Sequence, residues 1–309
     1  LVVDLGDDAA VWQSQNGYAL ATTDTMVEGV HFRPEWTTWR ELGWKALATN
    51  VSDVAAMGGH AEHALVTLGV SREAEVESLQ ELYHGLSDCA RAFEVAVVGG
   101  DVVASEQTFV TIALYGSVPT DATGVPGVLR RSGAKPGELI AVTGHLGDSA
   151  GGLRSFQMGY ALTPAVADLR LAHNRPQPRA AIGARLFAAG VRCALDVSDG
   201  LAGDLRHVTR QGRVGARIWA ERLPASEALH HTFPSEWSYL ALHGGEDYEL
   251  LFTAAPEVVE CVTDVAAQLG GVPVTTIGEI LPGPCGEVLL VDLNGTERPL
   301  NRGGYDHLA

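Results

Sequence analysis

Apolar positions in the first half of the chain switch between two periods. Residues 18–22 (Tyr-Ala-Leu-Ala-Thr) read as a buried strand ending on polar Thr23 and Asp24. Residues 37–57 place Trp39, Leu42, Ala46 and Leu47 at helical spacing, and Gly58-Gly59 supplies a stop. Residues 64–70 are strand-like. Residues 73–93 form an amphipathic helix, with Glu73, Glu75, Glu77 and Glu81 on a solvated face. Residues 95–98 predict a short buried strand running into Gly99-Gly100-Asp101, and 109–116 predict another strand.

Pro, Gly, Thr and Ser then crowd residues 119–136, which marks a domain boundary. The expected division is 1–130 and 131–309. In the second half, 139–143 predict a strand entering Gly144-His-Leu-Gly-Asp-Ser149, with a helix from Ala150. Further helices are expected over 179–189 and 201–211, and strands over 193–196 and 248–252. Both halves repeat the order strand, Gly/Asp turn, helix, without a short-period repeat. The fold class expected is α/β, of the α+β type, in two domains.

Composition narrows the function. The 309 residues, 46% of them hydrophobic and 36 of them glycine, suit two globular domains rich in tight turns. No run of about 18 apolar residues predicts a membrane span, and no signal-peptide pattern opens the chain. Four scattered cysteines, none in a C-x-x-C pair, argue against a zinc site or a disulfide framework and for a reduced, cytoplasmic protein. A net charge of −17 argues against nucleic-acid and anionic-membrane partners. Of the 21 basic residues only Lys45 and Lys135 are lysines.

Carboxylates recur beside glycine and at the expected strand ends. They are Asp7 and Asp8 after Gly6, Asp24, Asp53, Asp101, Asp148, the Asp196/Asp199 pair before Gly200, and Glu246-Asp247 after Gly244-Gly245. One Asp beside Gly is ordinary turn chemistry. Seven such places, converging on one rim, would repel one another unless a hard cation with oxygen ligands relieved them; Mg²⁺ is such a cation. Several Mg²⁺ ions imply polyphosphate and phosphoryl transfer. No G-x-x-x-x-G-K-[ST] loop and no protein-kinase signature is present. With two lysines, metal must supply most of the positive charge, helped by backbone N–H groups at glycine-rich helix starts. His60 with His63, and His230-His231, read as surface residues.

The ordered motifs Gly6-Asp-Asp-Ala-Ala10, Thr23-Asp-Thr-Met-Val-Glu-Gly-Val-His-Phe32, Asn50-Val-Ser-Asp-Val-Ala-Ala-Met-Gly58, Gly99-Gly-Asp101, Arg131-Ser-Gly-Ala-Lys-Pro-Gly137, Val142-Thr-Gly-His-Leu-Gly-Asp-Ser149, Asp196-Val-Ser-Asp-Gly-Leu201, Gly244-Gly-Glu-Asp-Tyr-Glu-Leu-Leu251 and Gly303-Gly-Tyr-Asp-His307 span nearly the whole chain. Together they resemble the thiamine-monophosphate kinases, of the superfamily that also holds aminoimidazole ribonucleotide synthetase and selenophosphate synthetase. The resemblance implies an N-terminal mixed sheet forming a barrel in a homodimer and a C-terminal α/β sandwich. It implies ATP and several Mg²⁺ ions, with thiamine monophosphate as the substrate. It further implies Asp8, Thr22, Thr23, Asp24, Asp53, Asp101, Asp196 and Asp199 as metal ligands. Gly100, Asp101, Arg131 and Ser198 would meet the nucleotide; His31, Glu246 and Tyr305 would meet the thiamine phosphate. The alternative reading is a related ATP-dependent synthetase acting on an amide.

Overall fold

The computed structural model describes residues 1–300 apart from Asn16, Ala122 and Leu293. Two mixed sheets organise it. The first holds β1 (Ala10–Ser14), β2 (Gly17–Val27), β3 (His60–Val70), β4 (Ala96–Ala104) and β5 (Phe109–Val118), in the spatial order β1-β2-β5-β3-β4. The second holds β6 (Leu139–Thr143), β7 (Cys193–Asp196), β8 (Gly215–Trp219), β9 (Leu250–Ala254), β10 (Val274–Leu281), β11 (Val288–Val291) and β12 (Glu297–Pro299), in the order β12-β11-β8-β10-β6-β9-β7.

Helices α1 (Trp39–Ala56) and α2 (Val76–Ala92) cover one face of the first sheet. Alternation along β2 aims Leu20 and Met26 into that core, and β5 adds Val110, Ile112 and Leu114. Thr38 caps α1 through a capping box with Glu41. Nearly the whole circumference of α1 is buried, because α2 and the C-terminal half also pack on it. The α1–α2 crossing is tight. A Cβ on Gly85 would lie 1.9 Å from the carbonyl oxygen of Arg40, so only glycine lets the backbones approach.

The second sheet is sandwiched. Its remaining helices are α3 (Asp148–Gln157), α4 (Pro164–Asn174), α5 (Ala180–Ala189), α6 (Leu201–Gly212), α7 (Glu227–Thr232), α8 (Trp237–His243) and α9 (Pro256–Gln268). Alternate residues of β6 and β9 face opposite layers. Ile140, Val142 and Leu251 meet α6 and α8, whereas Ala141, Leu250 and Phe252 meet α5 and α9. No helix among the described residues is long and apolar enough to cross a membrane.

The structure corrects several expectations. The strand expected over 95–98 is β4, which runs from Ala96 to Ala104 with every residue exposed; only Val95 before it is buried. It is an edge strand paired to β3 alone, so its valines have apolar sequence but no cover. The carboxylates do not all end strands. Asp24 and Asp101 sit within β2 and β4, Asp53 lies in the last turns of α1, and Asp148 opens α3. The last predicted strand starts at Leu250, because Glu246 and Tyr248 take positive φ angles of 66° and 52° that break extension. His230 and His231 belong to α7, exposed as expected but not in a loop.

Candidate active site

α1 carries chemistry between the two halves. Near its C-terminal end Asp53 accepts a 2.6 Å hydrogen bond from Thr22 Oγ1 of β2, and Ser52 Oγ donates 2.5 Å to Asp196 Oδ2 at the end of β7. Asp8, just before β1, completes the group. Ligand oxygens of Asp8, Asp53 and Asp196 lie within 4.8 Å of one another. The Arg131 guanidinium pairs with Asp8 Oδ1 at 2.5 Å, but Asp8 Oδ2 is buried without a partner.

Burial is the first reason that all three carboxyls hold protons more tightly than usual. Asp196 is pushed up to about 7 by burial and then by Asp8. Asp53 rises well above the ordinary range, through burial and then Asp24, Asp196 and Asp8. Asp8 rises through burial, against the pull of Arg131. Three mutually repelling carboxylates with an orphaned oxygen and only oxygen donors form a set that suits a hard divalent cation.

A cleft of about 930 Å³ opens from this group, lined by Asp24, Asp53, Ser198 and Asp199 at one end and by His31 and Glu246 further along. The turn carrying Ser198 and Asp199 is held by Asp204, whose Oδ2 accepts both backbone N–H groups at 3.1 and 3.2 Å. Asp199, Asp204 and His207 form a second close set. His31 accepts the Val27 N–H on Nδ1 at 3.1 Å, so its proton sits on Nε2. Glu246 meets Lys45 Nζ at 2.8 Å and lies 3.3 Å from His173 Nδ1. Burial depresses His173 to about 4, so at neutral pH that second contact is not an ion pair.

Not every expected residue reaches this place. Thr23 lines the cleft but gives its hydroxyl to the Ile112 carbonyl at 3.0 Å. Gly100 and Asp101 sit on exposed β4, where Asp101 Oδ1 accepts its neighbour's Val102 N–H at 2.9 Å. The sheet register runs Asp24, Ile112, Val66, Gly100. Three strand spacings, about 14 Å, therefore separate Asp24 from Gly100 in one chain. Asp148 and Asp247 are occupied elsewhere: Asp148 accepts from Ser226 Oγ at 2.7 Å, and Asp247 accepts the Gly147 and Ser149 N–H groups at the start of α3. Tyr305 lies outside the described residues. Sequence reasoning missed Lys45, His173 and Asp204. Lys45 carried a signal, as one of only two lysines and set inside an apolar helical run.

The family models for AIR synthase related protein match this chain over residues 6–118 (N-terminal domain) and 135–290 (C-terminal domain). The thiamine-monophosphate kinase of Escherichia coli (strain K12) is 39% identical over 313 residues, covering 99% of this chain and 91% of that protein. The structure of AaThiL complexed with AMPPCP and TMP superposes with a TM-score of 0.85 at 30% identity, covering 98% of this chain and 91% of that one. Thiamine-monophosphate kinase from Stenotrophomonas maltophilia K279a superposes with a TM-score of 0.82 at 36% identity, covering 93% and 90%. Both halves match, in order and over nearly their full length, so the chain belongs to the AIR synthase related family and, within it, to the thiamine-monophosphate kinases.

Proposed function

We propose that this protein moves the terminal phosphoryl group of ATP onto the phosphate of thiamine monophosphate, releasing ADP and thiamine diphosphate. The observation that carries this reading is the close trio Asp8, Asp53 and Asp196, served by one guanidinium, with Asp53 lining the cleft. Asp8, Thr22, Thr23, Asp24, Asp53, Asp101, Asp196 and Asp199 are the proposed Mg²⁺ ligands. Bound Mg²⁺ supplies the charge neutralisation that lets two phosphate anions meet.

The chain's own residues position the reactants. Ser198, Gly100, Asp101 and Arg131 are assigned to the nucleotide. His31 offers its Nε2–H to the substrate phosphate, Glu246 faces the thiazolium cation, and Tyr305 is assigned to the same substrate. The attacking oxygen belongs to a phosphate monoester with a second pKa of about 6. It is largely dianionic at pH 7, so no side chain need act as a strong base. The new bond joins that oxygen to the γ-phosphorus, and the bond to the bridging oxygen breaks as ADP leaves. Orientation and electrostatics supply the acceleration.

A homodimer fits this scheme. β4 offers an unpaired edge, and Val97, Val98, Val102 and Val103 on it, with Leu65 and Tyr115, are exposed. Two such sheets would close into a barrel. Asp101, too far from Asp24 within one chain, would then serve the site across the dimer seam. We keep the domain division at 130/131 and place the protein in the cytoplasm. The test is direct: purified protein with ATP, Mg²⁺ and thiamine monophosphate should yield thiamine diphosphate and ADP in equal amounts by chromatography. Absence of thiamine diphosphate would overturn the reading.

A further inference from the structure

Lys45 stands apart from the rest of the basic residues. It lies on α1 two helical turns before Asp53, about 12 Å along the axis at 1.5 Å per residue. Its side chain is 4% exposed, and its ammonium meets Glu246 Oε1 at 2.8 Å. An ammonium that deep is costly unless a carboxylate answers it. Glu246 is itself constrained by a positive φ of 66° and by its N–H, donated to the Ser198 carbonyl at 2.7 Å. Its side chain is 25% exposed, toward the cleft. His173 of α4, held by Ser149 Oγ at 3.0 Å, stands beside the other carboxylate oxygen. His31 and Tyr248, which also line the cleft, interact electrostatically with Glu246 as well.

We propose that Lys45 is a positioning residue for the substrate, gripping one oxygen of Glu246 so that the carboxylate is held at the cleft wall, where the substrate cation would meet it. This rests on the thiamine-phosphate reading above. α1 thereby sets a spacing: its Asp53 end serves the phosphates, and its Lys45 end fixes the carboxylate that receives the cationic ring.

Removing Lys45 has two opposed electrostatic consequences. A freed Glu246 charge would attract a cation more strongly, which would lower KM. Burial, however, is the largest influence on Glu246 and disfavours its charged form; Lys45 is the first influence opposing it. With the ammonium gone, burial makes the charged form harder to hold, and the carboxylate loses the contact that fixes its direction. KM for thiamine monophosphate should rise.

The experiment is a double-mutant cycle on the full-length protein with ATP and Mg²⁺, comparing wild type, Lys45→Met, Glu246→Gln, Lys45→Met/Glu246→Gln and Lys45→Arg. KM for thiamine monophosphate should rise at least tenfold in Lys45→Met. KM for ATP should stay within about twofold, because the nucleotide end of α1 is untouched. The double variant should be no worse than Glu246→Gln alone, since Lys45 acts only through that carboxylate, and Lys45→Arg should recover part of the loss. Should Lys45→Met fail to fold with Glu246 unpaired, the double variant leaves no buried charge there and decides the matter with Lys45→Arg. Multiplying losses in the double variant, an unchanged or lower KM in Lys45→Met, or an equal rise in both KM values would overturn the inference. Wild type that makes no thiamine diphosphate would overturn the functional reading instead.

Discussion

Replacing Asp196 with Asn should stabilise the metal-free protein, increasingly so as pH rises. Asp196 is 2% exposed, and burial with Asp8 pushes its carboxyl to about 7 from an ordinary 3.8. The folded protein therefore keeps a proton there up to about pH 7 that the unfolded chain releases near pH 4. Folded protein binds the extra proton through that window, so its stability falls as pH climbs. At 1.36 kcal/mol per unit, the stretch from pH 5 to 7 amounts to about 3 kcal/mol. Asn does not titrate, and its oxygen can still accept the Ser52 hydroxyl. The variant's advantage should thus grow by about 3 kcal/mol between pH 5 and 7 and level off above. Buried His173 and half-buried His207 and His243 have depressed pKa values and slope the opposite way, since their unfolded forms shed protons near pH 6.5. Taking the difference between variant and wild type cancels them. Thermal melts in EDTA at pH 5, 6, 7 and 8 read the effect, at about 2 °C per kcal/mol for a chain of this size. Excess Mg²⁺ at pH 8 should reverse the order by binding wild type better. A pH-independent difference in EDTA would refute the argument.

Asp53→Asn should lower turnover at least a hundredfold while circular dichroism stays native, and EDTA should do the same to wild type reversibly; near-normal rates in either case would remove Asp53 from the metal site. Val98→Asp, placing charge on the exposed face of β4, should convert the proposed dimer to monomer by light scattering; unchanged mass would locate the interface elsewhere. Gly85→Ala forces a Cβ to 1.9 Å from the Arg40 carbonyl oxygen. Overpacking of that kind costs about 1–3 kcal/mol or more, so the melting temperature should fall by several degrees, and an unchanged one would mean that the helices separate freely.

The long periodic helices were legible because their caps and apolar spacing agree: Thr38 with Glu41 starts α1, and Trp39, Leu42, Ala46 and Leu47 follow at core spacing. β4 was misread as buried because valine content reports apolarity, and only the sheet order reveals an edge. The carboxylates proposed as metal ligands stood out in the sequence through recurrence near glycine. Their sorting was not: Asp148 and Asp247 carry the same local signature as Asp196, yet one is held by Ser226 and the other caps the start of α3. Lys45 showed in the sequence as a rare lysine, but its partner did not: Glu246 pairs with it and meets His173 from far along the chain, and such pairing leaves no mark of spacing in a single sequence.

Each half of the chain builds its own sheet and apolar core, yet neither alone contains the proposed metal site. Asp8 and Asp53 come from one half and Asp196 from the other. The joint between them is α1, whose Ser52 bonds to Asp196 and whose Ala55 carbonyl meets Gly183 of α5 so closely that a Cβ there would lie 2.3 Å from it. Rate is therefore an alignment property of the seam. A substitution that tilts one half by an ångström would leave both cores sound and the melting curve normal, and still detune the chemistry. Inactive variants of this kind would pass every test of folding and be detected only by turnover.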